Sequence, residues 1–142
     1  MAKEKKILVI LGGTSNERKI SIDTGLSCIK ALRKLKYKVI KFDPKFSPIT
    51  DIKKNKVDII FNALHGKDGE DGTIQSFFEY IGLPYTHSGP VSSMLAMNKY
   101  FSKKLFIKNK IITPKFFYLT KTNFLNINLK KEIEKNKLKF PI

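Results

Sequence analysis

The sequence predicts an α/β fold in which a parallel sheet is flanked by helices. The continuous apolar run at residues 7–11 and the mostly apolar run at 57–64 have the composition of strands that are buried on both faces. Glycine follows each run closely, and a segment with apolar residues at helical spacing comes next. Strands that alternate with helices through short links are typical of parallel sheets with helices packed against them.

The first predicted helix follows the pair Gly12-Gly13. Thr14 and Glu17 have the spacing of a capping box, in which two side chains bond each other's backbone N–H groups at a helix start. The residues of the predicted buried stripe recur at helical spacing: Ile22, Leu26, Ile29 and Leu32.

The middle of the chain predicts a second strand and a second helix. Residues 37–42 have strand character and end at Asp43-Pro44, since the residue before proline resists helical backbone. Asp71 is the predicted N-cap of the helix and Gly82 its C-cap. Residues 83–86 are a candidate for a further short strand. The predicted buried face of the helix consists of Ile74, Phe77, Phe78 and Ile81.

The last third predicts helices and a domain boundary. Pro90 suits the first position of a third helix, and Asn98 is the predicted cap of a continuation to about Asn109. Thr113-Pro114 interrupts the pattern, which predicts one domain at residues 1–112. Beyond it we expect a strand at 116–119, a polar link and a helix through Leu129 and Ile133. The apolar residues at 140–142 are unusual for a domain end, so we expect the sequence to be cut there.

The charge alone names no function. Of 28 basic residues against 12 acidic ones, only Arg18 and Arg33 are arginine, and lysines recur along the whole length. Nucleic-acid binders concentrate charge on one face and favour arginine, so we predict a solvated basic surface and no nucleic-acid partner. The apolar run at 7–11 is too short for a signal peptide or membrane span, which predicts a cytoplasmic protein without a membrane partner.

The glycine pair at the first strand-to-helix junction fits neither common nucleotide motif. A dinucleotide fingerprint from Gly12 needs glycine where Thr14 and Glu17 stand, and a P-loop needs Gly-Lys-Ser/Thr, which does not occur. Asp43 stands where a Rossmann domain has its ribose-binding acid, a weak signal without the glycines. Glu17 would place a carboxylate in the crevice at the strand ends, suited to a ligand's ammonium group. From spacing alone, capping is the simpler interpretation.

Residues 65–72 form the densest cluster of polar groups and glycines. His65 leaves the carboxyl end of a buried strand, where open parallel sheets bind ligands. Its imidazole suits a developing negative charge on a carboxyl or phosphoryl group, although a structural role stays open at this point. The acids of the segment do not match the calcium-loop pattern, so we predict turn and cap roles and no metal site: Asp68, Glu70 and Asp71.

Three other reactive side chains gain no role from spacing. Cys28 is predicted to be a core residue, and as the only cysteine it rules out an internal disulfide. His87 stands in a short turn and is left open. Lys99 follows a helix-start asparagine but is one lysine among many.

Several motifs together resemble one family. The stretch LGGTSNER at residues 11–18 resembles the opening glycine-turn motif of D-alanine–D-alanine ligases. ALHGKDGEDGTIQ at 63–75 is similar to their H-G-x-x-G-E-D-G-x-[aliphatic]-Q signature. LPYT at 83–86 and MNK at 97–99 follow in the expected order, so the resemblance covers essentially the whole chain.

The resemblance implies an ATP-grasp ligase of the cytoplasm. In such enzymes ATP, with Mg²⁺ or Mn²⁺, phosphorylates the carboxylate of one D-alanine, and the amine of a second D-alanine attacks this acylphosphate to give the dipeptide of peptidoglycan. The resemblance assigns Glu17 to the ammonium group of the first D-alanine. It assigns His65 to the region of that substrate's carboxylate and the transferring phosphoryl group, and Lys99 to the ATP site. Homodimers are common in the family.

The sequence departs from the family pattern at two places. Asn98 stands where the family usually has aspartate, and both residues cap helices. The resemblance makes 1–112 a Rossmann-like, substrate-binding domain that precedes an ATP-grasp domain, and 113–142 the incomplete start of that second domain. The family's phosphate-binding lysine, magnesium-binding acids and stabilising arginine are expected beyond residue 142. We therefore expect no ligation by this chain alone.

Two alternatives remain at this stage. One is a non-catalytic, basic, Rossmann-like module that binds a nucleotide or polyanion, which salt-sensitive binding independent of Glu17 and His65 would indicate. The other is a remnant of a ligase gene. The choice of the second substrate is also open, and a relative that uses D-lactate or D-serine is not excluded.

Overall fold

The computed structural model describes residues 5–138 and confirms the predicted α/β class. Its strands are β1 (Lys6–Ile10), β2 (Lys38–Phe42) and β3 (Ile59–Asn62). They form one parallel sheet in the order β2-β1-β3, with Ile7 of the central strand opposite Val39 and Ile59. Residues 140–142 lie outside the described part of the chain.

The helices of the described residues include all those that the sequence predicted. They are α1 (Arg18–Lys34), α2 (Thr73–Ile81), α3 (Pro90–Met97), α4 (Lys99–Lys108), α5 (Lys121–Leu125) and α6 (Leu129–Lys135), with a 3-10 helix at Ile49–Asn55. Gly82 ends α2 in the left-handed region at φ 68°, and the Asn98 side chain accepts the N–H groups of Tyr100 and Phe101, so both predicted caps are confirmed. Within residues 5–138, no helix combines the length and apolarity needed to cross a membrane.

The two faces of the sheet carry separate apolar clusters. Alternate residues of β1 point to opposite faces, so Leu8 and Ile10 join the cluster around Phe78 of α2, while Ile7 and Val9 join the cluster around Ile29 of α1. The 3-10 helix contributes the fully buried Ile52 to the first cluster. This helix was not predicted, because its two apolar residues, Ile49 and Ile52, are too few to define a helical stripe. A sheet covered on both faces leaves the strand ends as the natural place for a site.

The buried line of α1 differs from the predicted stripe. Ser21, Gly25 and Ile29 are buried, whereas Leu26 is 46% exposed. The line is rotated because Gly25 lets the helix backbone approach Leu11 closely. Cys28 is half-buried rather than a core residue.

Two predicted strands are corrected. Residues 83–86 contribute a single parallel bridge, between Tyr85 and Ile60, rather than a full strand. Residues 116–119 have no regular secondary structure. An apolar tetrapeptide becomes a strand only when another strand pairs with it, and the sheet of the described residues consists of β1, β2 and β3. The polar link after this segment contains α5, which was not predicted.

The chain divides into two compact units, residues 1–97 and 98–142. Within the second unit, Lys103 of α4 donates to the Thr113 hydroxyl and to the Pro114 carbonyl, each at 3.0 Å, and the rings of Tyr100 and Tyr118 are 4.6 Å apart. These contacts group α4 with the residues that follow Thr113. The functional boundary between 112 and 113 stays a prediction.

We expect Gly25→Ala to lower the free energy of unfolding by about 1–2 kcal/mol, because overpacking costs more than the helix propensity of alanine returns. A Cβ at Gly25 would lie 2.5 Å from the Leu11 Cβ. Chemical denaturation measures the change. Ser27→Ala is the control, since this exposed hydroxyl donates to the Asp23 carbonyl of its own helix. A Gly25→Ala protein as stable as the parent would contradict the close approach.

Candidate functional site

The candidate site lies where two loops leave the carboxyl ends of adjacent parallel strands. The first loop (residues 11–17) follows β1, and the second loop (residues 63–72) follows β3. They border a pocket of about 150 Å³. The pocket is lined by Gly12, Gly13, Thr14, Ser15, Pro44, Leu64, His65, Lys67, Asp68, Gly69 and Ile74. The structure therefore brings together the two motifs that the sequence singled out.

The bases of the two loops are joined by a buried serine. Ser21 of α1 is fully buried; its Oγ accepts the Gly12 N–H at 2.8 Å and donates to the Ala63 carbonyl at 2.7 Å. Gly12 and Gly13 have φ of 84° and 72°, so the chain turns sharply here before α1. Both loops are thus fixed at the points where they leave the sheet.

Arg18 and Asp43 hold the glycine turn from outside. The Arg18 guanidinium bonds both Asp43 carboxylate oxygens, at 2.8 and 3.1 Å, and donates to the Gly13 carbonyl at 2.7 Å. Asp43 Oδ1 also accepts the Gly13 and Lys45 N–H groups. Both polar groups of the Gly13 backbone are therefore bonded to this pair, which gives Asp43 a structural role in the glycine turn.

The charge of Asp43 is stabilised by its partners. Burial alone would raise the pKa of this carboxyl, but the hydrogen bonds from Arg18, Lys45 and Gly13 outweigh burial and hold the pKa below its ordinary value. The folded protein thus favours the ionised form of the Asp43 side chain.

Glu17 lies at the start of α1 but does not form the predicted capping box. Glu17 is the N-cap residue of α1, and no side-chain hydrogen bond caps the helix. Its own N–H donates instead to Ser15 Oγ at 3.2 Å. The Glu17 side chain is exposed at the rim of the site, where a carboxylate is available to a cationic group.

Glu17, His65 and Glu70 each offer one oxygen or nitrogen atom, and these atoms all lie within 4.8 Å of one another. His65 Nε2 lies 3.2 Å from the Thr24 hydroxyl, and His65 Nδ1 lies 3.6 Å from a Glu70 oxygen. The second Glu70 oxygen accepts the Gly66 N–H at 2.8 Å. Two carboxylates beside an imidazole make this rim attractive to a small cation, such as an ammonium group or a metal ion.

The second loop is supported from inside by two buried amides. Gly69 has a carbonyl that accepts from both Asn62 Nδ2 and Gln75 Nε2, each at 2.9 Å, and both side chains are buried. Asn62 Oδ1 also accepts the Leu64 N–H. His87 has a positive φ of 91°, and its Nδ1 lies 3.1 Å from Asn62 Nδ2, which assigns the ring proton to Nε2.

The carboxylates of Asp71 and Glu70 accept backbone N–H groups of the second loop, in agreement with the predicted turn and cap roles. Asp71 accepts the N–H groups of Asp68 and Thr73, but the N-cap residue of α2 is Gly72, one position later than predicted. Burial alone would raise the pKa of Asp71, yet hydrogen bonds from Asp68 and Thr73 lower it below its ordinary value. Glu70 differs, because one of its oxygens faces His65.

Lys99 is the first residue of α4, in the second unit, and is exposed. Its assignment to an ATP site stays a prediction. Sequence reasoning missed the roles of Ser15, Ser21, Thr24 and Asn62. Only Asn62 carried a signal, as an amide at the end of an apolar strand.

Comparisons with known proteins agree on one family. A family model described as "D-ala D-ala ligase N-terminus" matches residues 41–88. The chain is 53% identical to the D-alanine–D-alanine ligase of Pelagibacter ubique over 97% of this chain and 45% of that protein. It is 46% identical to the Actinobacillus succinogenes enzyme of that name over 72% of this chain and 34% of that protein. The chain thus spans less than half the length of these relatives.

Solved structures give the same result. The D-alanine–D-alanine ligase of Bacillus anthracis complexed with ATP is 39% identical, with a TM-score of 0.76 over 91% of this chain and 44% of that one. A D-Ala:D-Ser ligase from Enterococcus faecalis is 28% identical, with a TM-score of 0.69 over 94% of this chain and 50% of that one. The similarity therefore includes relatives whose names give different second substrates.

Proposed function

We propose that this chain, which corresponds to the amino-terminal part of the D-alanine–D-alanine ligase family, supplies the binding site for the first D-alanine of the ligation. The observation that carries the proposal is the pocket between the first and second loops, which His65 lines and beside whose imidazole the Glu17 carboxylate lies. A D-amino acid is a zwitterion, and the two side chains are complementary to its two charged groups.

Each residue has a distinct role in the proposal. Glu17 binds the ammonium group, because an exposed carboxylate beside the glycine turn attracts a cation. His65 donates a hydrogen bond toward the carboxylate of D-alanine and toward the phosphoryl group that this carboxylate receives. Negative charge develops there during the transfer. Thr24 bonds the ring of His65 and Glu70 faces its other side, so the imidazole has a defined orientation.

The complete reaction extends beyond these residues. We propose that the whole enzyme uses ATP and Mg²⁺ or Mn²⁺ to activate D-alanine as an acylphosphate, that Lys99 contributes to the ATP site, and that the dipeptide product serves peptidoglycan synthesis. Residues 1–112 form the substrate-binding domain in this proposal, and the ATP-grasp domain begins at 113. We also propose that the whole enzyme is a cytoplasmic homodimer that binds neither nucleic acid nor membranes.

We expect this chain to bind D-alanine, and Glu17→Gln to weaken the binding at least tenfold, since hydrogen bonds to charged groups contribute about 1.5–3 kcal/mol. Titration of ¹⁵N-labelled protein, followed at the amides of Gly13 and Gly66, measures the dissociation constant. Propionate keeps the carboxylate but lacks the ammonium group. Its weaker binding should not change in the variant.

Glu134→Gln is the matched control, because Glu134 is an exposed glutamate on α6. Equal losses of D-alanine and propionate affinity in Glu17→Gln would contradict the ammonium role. Binding of DNA or polyphosphate that falls with salt, survives Glu17→Ala and His65→Ala, and occurs without D-alanine binding would favour the polyanion-binding module instead.

A further inference from the structure

The Ser15 hydroxyl lies between the two residues that carry the proposed site. It donates to the His65 carbonyl at 2.7 Å and accepts the Glu17 N–H at 3.2 Å. A hydroxyl has one proton and two lone pairs, so both bonds form at once without competition. One oxygen atom therefore joins the backbone of the first loop at Glu17 to the backbone of the second loop at His65.

The two loops are also in close contact at this point. A Cβ built at Gly66 would lie 3.2 Å from Glu17 Oε1 and 3.5 Å from Ser15 Oγ. The first loop thus packs against Gly66 with little space left, and the Ser15 bonds fix the separation of the loop tips. The separation of Glu17 from His65 decides whether both can reach one small zwitterion.

We propose that Ser15 is a positioning residue that couples Glu17 to His65. It sets the distance between the Glu17 carboxylate, which binds the ammonium group of the substrate, and the His65 imidazole, which donates toward the carboxylate of the substrate. The inference rests on the proposed function for its ligand, but the coupling itself is a property of the two loops and is measurable without a ligand.

The remaining contacts make a clean test feasible. Ser21 joins the bases of the loops through Gly12 and Ala63, and this link does not involve Ser15. Asn62 and Gln75 hold the second loop from inside through Gly69. Loss of the Ser15 hydroxyl should therefore loosen the loop tips while the fold persists.

The ligand-free experiment measures ring ¹⁵N and ¹³C chemical shifts of His65. Glu17→Gln should shift these resonances in the parent protein, and the shift should fall at least threefold in the Ser15→Ala background. Ser15→Thr keeps the hydroxyl and should restore the response. An unchanged response in the Ser15→Ala background would overturn the proposal. Should Ser15→Ala fail to fold, Ser15→Cys replaces it, because a thiol is a weak donor.

The ligand experiment measures the D-alanine dissociation constants of a double-mutant cycle. Glu17→Gln and His65→Gln should be non-additive by about threefold or more in the parent protein and additive in the Ser15→Ala background. Ser15→Ala itself should weaken binding about three- to tenfold, and Ser27→Ala should not. Weaker binding with the non-additivity intact would show a merely structural role and overturn the proposal. If D-alanine binds to no variant, the proposed function fails, and the chemical shifts alone decide the coupling.

Discussion

Phe78→Ala is expected to lower the free energy of unfolding by about 3–5 kcal/mol, the range for removing a fully buried aromatic side chain. Phe78 is 0% exposed and lies in the cluster that contains Leu8 and Ile60 of the sheet. Its ring centroid is 5.2 Å from that of Tyr85 and 6.4 Å from that of Phe77. Alanine would leave a cavity where β1, β3 and α2 meet.

Urea denaturation followed by circular dichroism measures this loss. Tyr80→Ala is the control on the same helix, because Tyr80 is 83% exposed and should change the free energy of unfolding by less than about 0.5 kcal/mol. Similar effects of the two substitutions would contradict the packing of α2 on the sheet. Phe78→Leu should fall between the parent and Phe78→Ala.

The Phe78 result also bears on the candidate site. Helix α2 begins at Thr73, directly after the second loop, and its Gln75 holds the Gly69 carbonyl. A helix that packs poorly on the sheet would leave this loop without its inner support. We therefore expect the amide resonance of Gly66 to shift in Phe78→Ala, although Phe78 is not a residue of the pocket.

The parts of the fold that the sequence predicts are those set by local pattern. The apolar runs of β1 and β3, the left-handed cap at Gly82 and the Asn98 cap all follow from neighbouring residues. The family resemblance assigned Glu17 and His65 to the same substrate, and the structure places their side chains together.

The parts that the sequence does not predict depend on partners distant along the chain. Ser15 and the His65 carbonyl are 50 residues apart, and Ser21 and the Ala63 carbonyl 42 residues apart. A serine in a glycine-rich turn carries no sign of such a partner. The segment 116–119 shows the converse, since a strand-like composition gives no strand without a neighbour.

Asp43 shows the same dependence on a distant partner. Its position after a strand gave only a weak signal of a ribose-binding acid, and its carboxylate lies against Arg18, 25 residues away in sequence. The pair bonds the backbone of the first loop as well, through the Gly13 carbonyl and N–H. It fixes the glycine turn from which Glu17 projects, so its contribution to the site is expected to appear as stability.

Asp43→Ala is expected to lower the free energy of unfolding by about 2–3 kcal/mol at neutral pH, because hydrogen bonds to a charged group are lost together. The Gly13 and Lys45 N–H groups lose their acceptor, and the glycine turn loses its outer support. Asp43→Asn keeps one acceptor oxygen for these groups and should cost less. Urea denaturation measures both. A loss in Asp43→Ala no larger than that of Ser27→Ala would contradict the support that Asp43 gives to the glycine turn.

The same pair predicts a pH dependence with a definite sign. The pKa of Asp43 is lower in the folded protein than its ordinary value of 3.8, so the unfolded chain binds the proton more tightly. The stability that the carboxylate contributes is therefore complete at pH values well above 3.8 and is lost as the pH falls through that value toward the lower pKa of the folded state.

Asp71 has a lowered pKa as well and contributes in the same direction. The free energy of unfolding should thus fall less steeply in acid for Asp43→Ala than for the parent, with the slope that remains in the variant due partly to Asp71. Equal slopes would mean that Asp43 binds protons equally well in both states, which would contradict its hydrogen bonds with Arg18 and Gly13.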